Sequence, residues 1–193
     1  MNAEVKTATA NDQNRVVDAI LLAFVQDPVV RWAFPDPHQY VSSFREFVPA
    51  FGGKAFVNET AHYAGEFSGA ALWLPPGVDP DEDAMIPIVE RTVAPDKIET
   101  LFGILEGMAK YHPPEPLWYL PLIGVDPTHQ RRGIGGALLR YSLERVDREQ
   151  SIAYLESSNP ENIPLYERHG FEVIGTIQVG DAPVLTPMIR HPR

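Results

Sequence analysis

The segment "HQRRGIGGALL", His129 to Leu139, sets two adjacent arginines and three glycines directly before an apolar run of helical spacing. Those residue types suit an anion. A helix N-terminus leaves about four N–H groups without intrahelical partners and carries the positive end of the macrodipole. Glycines at 133, 135 and 136 let a phosphate approach that backbone with no Cβ in the way. Arg131 and Arg132 add charge, and guanidinium forks match phosphate oxygens. The residues alone leave a second reading open, a glycine-rich turn with solvated arginines. Other nucleotide motifs fit poorly: the chain lacks the Gly-x4-Gly-Lys-Ser/Thr string of a phosphate-binding P-loop. Leu138 stands where a dinucleotide fingerprint needs its third glycine.

The surrounding pattern supplies a strand before that loop and a helix after it. "LWYLPLIGV" is a near-continuous apolar run, expected as a strand buried on both faces, and Ile134 to about Arg148 reads as an amphipathic helix. Pro121 inside the run, with Gly124 three residues on, reads either as a bulge or splay that frees backbone groups or as a harmless irregularity. "IAYLESS" is the next strand, followed by a short helix over "ENIPLYERH" that Gly170 closes. "FEVIGTIQV" and "VLTPMIR" are the last strands, with Pro187 suited to a sheet edge.

Upstream, "EVKTATA" reads as a first strand. Asn11 or Asp12 caps a helix carrying Val16, Val17, Ile20, Leu21 and Phe24. A second helix runs through "SSFREFVPAFGGKAF" with Pro49 as a break or kink, and "AHYAGEF" and "GAALWL" form two strands about a tight turn at Ser68-Gly69. Two helices within residues 75–116 read as a cover over the sheet, too short and broken for a core of their own. The fold class is mixed α/β, with helices flanking a central sheet in one domain spanning 1–193.

Composition narrows the function. The chain has 193 residues, is 44% hydrophobic and 22% charged, and carries a net charge of −10 with a pI near 5.0. An acidic chain disfavours nucleic acid, which needs a basic surface, and is compatible with a cationic acceptor. The absence of cysteine removes thiolate metal sites and cysteine nucleophiles, and the six histidines lack close ligand spacing, so no metal is expected. No apolar run has membrane-spanning length and the first residues lack a signal-peptide core. No membrane partner and a cytoplasmic location are therefore expected.

"VDPTHQRRGIGGALL" resembles the acyl-CoA-binding signature of the GNAT N-acetyltransferase superfamily, with Gln130, Gly133 and Gly135 at its defined positions. "SSNPENIPLYERHGF" resembles the same superfamily's second marker, through Asn162, Tyr166, Gly170 and Phe171. Within the superfamily the chain looks most like the puromycin N-acetyltransferase branch, most strongly from about Glu115 to Val173. The resemblance implies a mostly antiparallel sheet with a V-shaped splay between the "LWYLPLIGV" and "IAYLESS" strands. It further implies acetyl-CoA as donor, its arm paired with Ile123, Gly124 and Val125. The pyrophosphate would lie on Arg131, Arg132, Gly133, Ile134, Gly135 and Gly136 next to Gln130, and Asn162 would contact the arm. Pro121 departs from the commoner strand pattern.

The implied reaction is acetyl transfer to a small-molecule primary amine, by direct attack through a tetrahedral intermediate. A non-catalytic acyl-CoA-binding module, or acetylation of a peptide amine, is the alternative. The chemistry needs a neutral amine, an oxyanion donor and a proton for the departing thiolate. Tyr166 fits the last role, since a phenol of pKa about 10 can donate to a thiolate of pKa about 8.5, and a backbone N–H near Gly124-Val125 fits the second. Glu156 is the first candidate for the base, ahead of Glu66 and Asp27. Trp32, Phe34, Trp73, Trp118 and Tyr119 are candidates for the acceptor wall, Trp73 and Tyr119 foremost. A monomer or homodimer is expected.

Overall fold

The computed structural model describes residues 3–193, so the first two residues of the expected domain lie outside it. In chain order the elements are β1 (Val5–Thr7), α1 (Gln13–Ala23), α2 (Pro28–Ala33), α3 (Pro37–Gln39), α4 (Arg45–Gly52), α5 (Lys54–Val57), β2 (Ala61–Ala64) and β3 (Gly69–Leu74). There follow α6 (Glu82–Thr92), α7 (Pro95–Tyr111), β4 (Leu117–Val125), α8 (Ile134–Arg148), β5 (Ile152–Ser157), α9 (Ile163–Arg168), β6 (Glu172–Val173) and β7 (Thr186–Arg190). The strands form one sheet in the order β1-β2-β3-β4-β5-β7-β6. All neighbours are antiparallel except β4 and β5.

Period-2 alternation divides the core between the two sheet faces. Ala70, Leu72 and Leu74 of β3 pack with α1 and α4, whereas Ala71 and Trp73 pack with Leu138, Leu139, Leu143 and Val146 of α8. The α8 face is locked at its far end by Arg190, only 3% exposed, whose guanidinium donates to both carboxylate oxygens of Asp147 at 2.7 and 2.8 Å.

The parallel pair decides the architecture. β4 and β5 are in register at Leu117↔Ile152, Trp118↔Ala153 and Tyr119↔Tyr154, and there the pairing ends, although β4 continues to Val125 and β5 to Ser157. Beyond that point the strands diverge into a splay. A bulge coincides with the divergence: Leu72 faces Leu122 while Leu74 faces Tyr119, so Leu120 and Pro121 together lie opposite Trp73. Trp73 turns its own backbone away, its N–H donating to Thr60 O at 3.2 Å and its carbonyl accepting from Thr60 Oγ1 at 2.6 Å. No ladder bond is therefore lost to the missing N–H of Pro121, and proline is tolerated in a central strand.

The helix over "SSFREFVPAFGG" runs through Pro49 unbroken as α4, and a π-helical turn, Tyr40–Phe44, lies immediately upstream. Asp12 is the N-cap residue of α1, though its side chain turns back to Thr9, the N-cap of the 3-10 turn Ala10–Asp12. It accepts from the Thr9 N–H at 2.9 Å and from Thr9 Oγ1 at 2.8 Å, completing a capping box. The β2–β3 connection is the turn Gly65–Ser68, with Gly65, Glu66 and Phe67 all left-handed, and not a two-residue turn at Ser68-Gly69.

Pro187 is not on an edge. β7 lies between β5 and β6, and Pro187 sits opposite Glu156. Its carbonyl accepts from Ile174 N–H at 3.0 Å, so its missing N–H faces the same side, where β6 ends at Val173. The expected long strand over 171–179 is accordingly reduced to two residues and an isolated bridge, Ile177↔Leu185.

Gly124 sets how closely α1 approaches the splay. A Cβ there would lie 2.3 Å from Ala23 Cβ and 3.3 Å from the Phe24 ring. We expect Gly124→Ala to destabilise the fold by about 1–3 kcal/mol through overpacking, read as a lower midpoint in urea with an unchanged slope.

Candidate active site

β4 offers its backbone to the splay. Asp126 N–H donates to Ser68 O at 2.8 Å, so alternation turns Gly124 toward β3 and turns the N–H and C=O of Ile123 and Val125 the other way, where β5 has left the pairing. Of the two residues considered for the oxyanion donor, Val125 has the N–H on that side. At the end of the strand, Gln130 Nε2 donates to Val125 O at 3.2 Å, and Asp126 caps the 3-10 turn Pro127–His129 by accepting from Thr128 N–H at 2.8 Å.

The loop then curls into α8. Arg131 (φ 60°) and Gly133 (φ 82°) are both left-handed, and Gly133 is the N-cap residue of a fifteen-residue helix. Arg131, Arg132 and Gly133 are exposed, and among the described residues neither arginine has a carboxylate within ion-pair distance. Ile134 is buried, and Gly136 lies under the His169 ring, where a Cβ would come within 3.5 Å. The first turn of α8 therefore combines open amides, dipole and two free cations beside the splay. That is the donor set a pyrophosphate calls for.

The α1 and α4 face of the sheet carries a cavity of about 630 Å³, enclosed by α4, α6, α7 and the split strands. Tyr119 of β4 and Glu156 of β5 both line it, with His112 from the end of α7. The Tyr119 hydroxyl donates to Glu156 Oε2 at 2.9 Å, and the His112 ring stands edge-on to Tyr119 and Tyr154 at 5.6 and 5.1 Å. Burial pushes the Glu156 carboxyl up to about 7, against the pull of the hydrogen bond from Tyr119. Burial and the neighbouring Glu156 charge keep the Tyr119 phenol well above its ordinary range, hence a permanent donor. A carboxylate tuned to neutrality in a cavity is a competent general base.

Tyr166 stands on the other face, in the α8 core, with its ring edge-to-face on Phe171 at 6.1 Å. Burial, reinforced by the Asp27 charge, raises its phenol above the ordinary range, so it is protonated at neutral pH. Asn162 ends the 3-10 turn Pro160–Asn162 one helical turn earlier, with its side chain exposed. Asp27 caps α2 by accepting from Val30 N–H at 3.0 Å. Its other oxygen accepts from Ser158 Oγ at 2.5 Å, tying the α1–α2 connection to the end of β5.

Several candidates fall elsewhere. Trp73 is fully buried against α8 and does not line the cavity, because alternation along β3 turns it to the opposite face. Trp118 shares that face and donates to Glu149 at 2.9 Å; Phe34 is core, and Trp32 packs beside it. Glu66 is exposed on the β2–β3 turn. The aromatic walls are instead Phe51, Phe102 and Tyr119. His112 escaped sequence reasoning, since a histidine before two prolines carries no local signal. No group of metal-ligating side chains occurs among the described residues.

Glu156 also bears on stability. A carboxyl raised to about 7 in the fold destabilises it above that pH, and the cost fades as pH falls toward the ordinary 4.5. Glu156→Gln is expected to raise stability at pH 8 by up to about 3 kcal/mol, with the gain vanishing below about pH 4.5 in paired urea titrations.

Residues 93–173, which run from α7 to β6, match the family model of the acetyltransferase (GNAT) domain. An uncharacterized N-acetyltransferase of Schizosaccharomyces pombe is 23% identical, across 86% of this chain and 73% of that protein. The fold is shared with a solved acetyltransferase from Corynebacterium glutamicum, related to the histone acetyltransferase HPA2. It superimposes with a TM-score of 0.72 at 24% identity over 100% of this chain and 98% of the other. The polyamine N-acetyltransferase of Drosophila melanogaster, which forms N-acetylagmatine, has the same fold with a TM-score of 0.71 at 16% identity, covering 98% and 99%. The segment from α7 to β6 is thus similar to the acetyltransferase (GNAT) domain, and the chain as a whole shares its fold with solved acetyltransferases.

Proposed function

We propose that this protein transfers the acetyl group of acetyl-CoA to a small-molecule primary amine. The observation that carries the reading is a single splay with Glu156 on one face of the sheet and Tyr166 on the other. Ile123 and Val125 supply the backbone edge for the pantetheine arm, with Asn162 alongside. Residues 130–136 supply amides and guanidinium groups for the pyrophosphate. When bound, acetyl-CoA supplies a thioester carbonyl open to attack.

The protein's own residues do the rest. Glu156 takes a proton from the incoming ammonium nitrogen, which frees its lone pair. Val125 N–H is placed for the oxygen of the tetrahedral intermediate, a role worth about 3 kcal/mol. A nitrogen–carbon bond forms, the carbon–sulfur bond breaks as the intermediate collapses, Tyr166 gives its proton to the departing thiolate, and the proton that the attacking nitrogen then sheds restores the phenol. Neither a metal nor a resident cofactor is needed. A net charge of −10 favours a cationic acceptor and disfavours nucleic acid. The similarity in fold to a polyamine N-acetyltransferase supports a small amine, and the local resemblance to the puromycin branch supports a bulky one. A cytoplasmic enzyme, monomeric or homodimeric and without a membrane partner, completes the reading. A pure acyl-CoA-binding module would have no use for an acid and a tuned base at the splay.

Acetyl-CoA-dependent thiol release against a panel of amines tests the proposal. We expect kcat/KM to rise with pH through an apparent pKa of about 7, because Glu156 must be ionised to act. Glu156→Gln should remove that limb. Tyr119→Phe should shift it upward, since a hydrogen bond that favours the carboxylate is lost. Tyr166→Phe should lower kcat by about 10²–10⁴-fold, the usual contribution of a placed acid. Turnover with a flat pH profile in the wild type would contradict the role of Glu156.

A further inference from the structure

The similarity to that domain leaves the acceptor open, and the walls that would read it lie partly outside the matched segment, on α4 and α6. Their chemistry is uniform. Phe51 of α4, Met85 and Val89 of α6, and Phe102, Leu105 and Met108 of α7 surround the 630 Å³ space with apolar surface. Its ionisable groups differ in exposure. Glu156 and His112 stand at the strand end, while Asp79, Glu82 and Glu106 are exposed, Glu106 being paired with Lys110 at 3.0 Å. Glu156 is the one carboxylate lining the cavity that is not exposed.

The width of this space is held by close packing behind α7. Gly103 and Gly107 lie one turn apart on the helix, against Val179 and Ile177. A Cβ would come within 2.9 Å of Val179 Cγ1 and 2.7 Å of Ile177 Cγ2 respectively. The two glycines let α7 sit back onto residues 177–179, while Phe102, Leu105 and Met108 of the same helix line the cavity.

We propose, on the basis of the acetyltransferase reading above, that the acceptor is a primary amine on a bulky apolar body, aryl or long alkyl, and that polyamines are discriminated against. The terminal ammonium reaches Glu156 while the body is buried by α6 and α7. A second ammonium partway along the molecule would sit among apolar walls with no counter-charge, which is costly. The exposed carboxylates attract the cation during entry and do not follow it in.

The test is kcat/KM with acetyl-CoA for n-alkylamines from butyl to octyl, for phenylalkylamines, and for spermidine and agmatine. We expect a rise of about fourfold per methylene, with spermidine and agmatine at least about 100-fold below octylamine. Leu105→Glu, placing a charge in the wall, should flatten the alkyl series and raise spermidine relative to octylamine. Thermal stabilisation of that variant by acetyl-CoA shows that it has folded. A flat alkyl series in the wild type, or spermidine equal to octylamine, overturns the apolar acceptor and leaves acetyl transfer standing. No turnover with any amine in the panel overturns both.

Discussion

Everything at this site depends on two parallel strands that stop pairing too soon. After Tyr119↔Tyr154 the backbone of β4 runs on with Ile123 and Val125 facing no strand. Buried backbone groups without partners are expensive, so such an opening persists only where something else provides the hydrogen bonds. The bulge at Leu120-Pro121 removes one donor from the region, and α1 packs onto Gly124 at a distance only glycine allows. The open edge is thereby built into the packing, and in the proposed function an extended ligand arm completes it as a strand would.

The divergence also separates Tyr166 from Glu156, the acid and the base of the proposed mechanism. Alternation on β5 sends Tyr154 and Glu156 to one face, and Leu155 to the other, where Tyr166 packs. Burial raises both groups for one reason, the loss of water, with opposite chemical uses. For Glu156 it raises the carboxyl to about 7, the range that the proposed base requires. For Tyr166 it guarantees a proton at any physiological pH. In the proposed reaction donor and acceptor approach from opposite faces, and the cavity bounded by α4, α6 and α7 shares no helix with the arginine loop.

Local chemistry was the legible part of the sequence. The glycine–arginine loop, the Asn162–Tyr166 spacing and the strand-end Glu156 are all short-range patterns, and the helices over 82–92 and 95–111 follow from periodicity and proline punctuation. What escaped depends on long-range order. "GAALWL" is apolar throughout, so it gives no hint of which alternate residues face which side, and Trp73 was assigned to a wall it does not reach. Pro187 invites an edge strand because proline usually lies there. Insertion of β7 between β5 and β6 is a topological fact with no local trace. The Tyr119–Glu156 bond joins residues 37 apart, and His112 enters only because α7 ends over the cavity. Asp27, considered only as a base, turned out to be a helix cap that also ties Ser158.

The claim that β4 presents a free edge for the donor is tested most directly by amide hydrogen exchange, resolved by residue, with and without saturating acetyl-CoA. The account predicts that Ile123 and Val125 amides exchange quickly in the free protein and become strongly protected on binding, while Gly124, bonded toward β3, is slow in both states. Ile123 and Val125 amides already protected in the free protein, or unchanged at saturation, would contradict it.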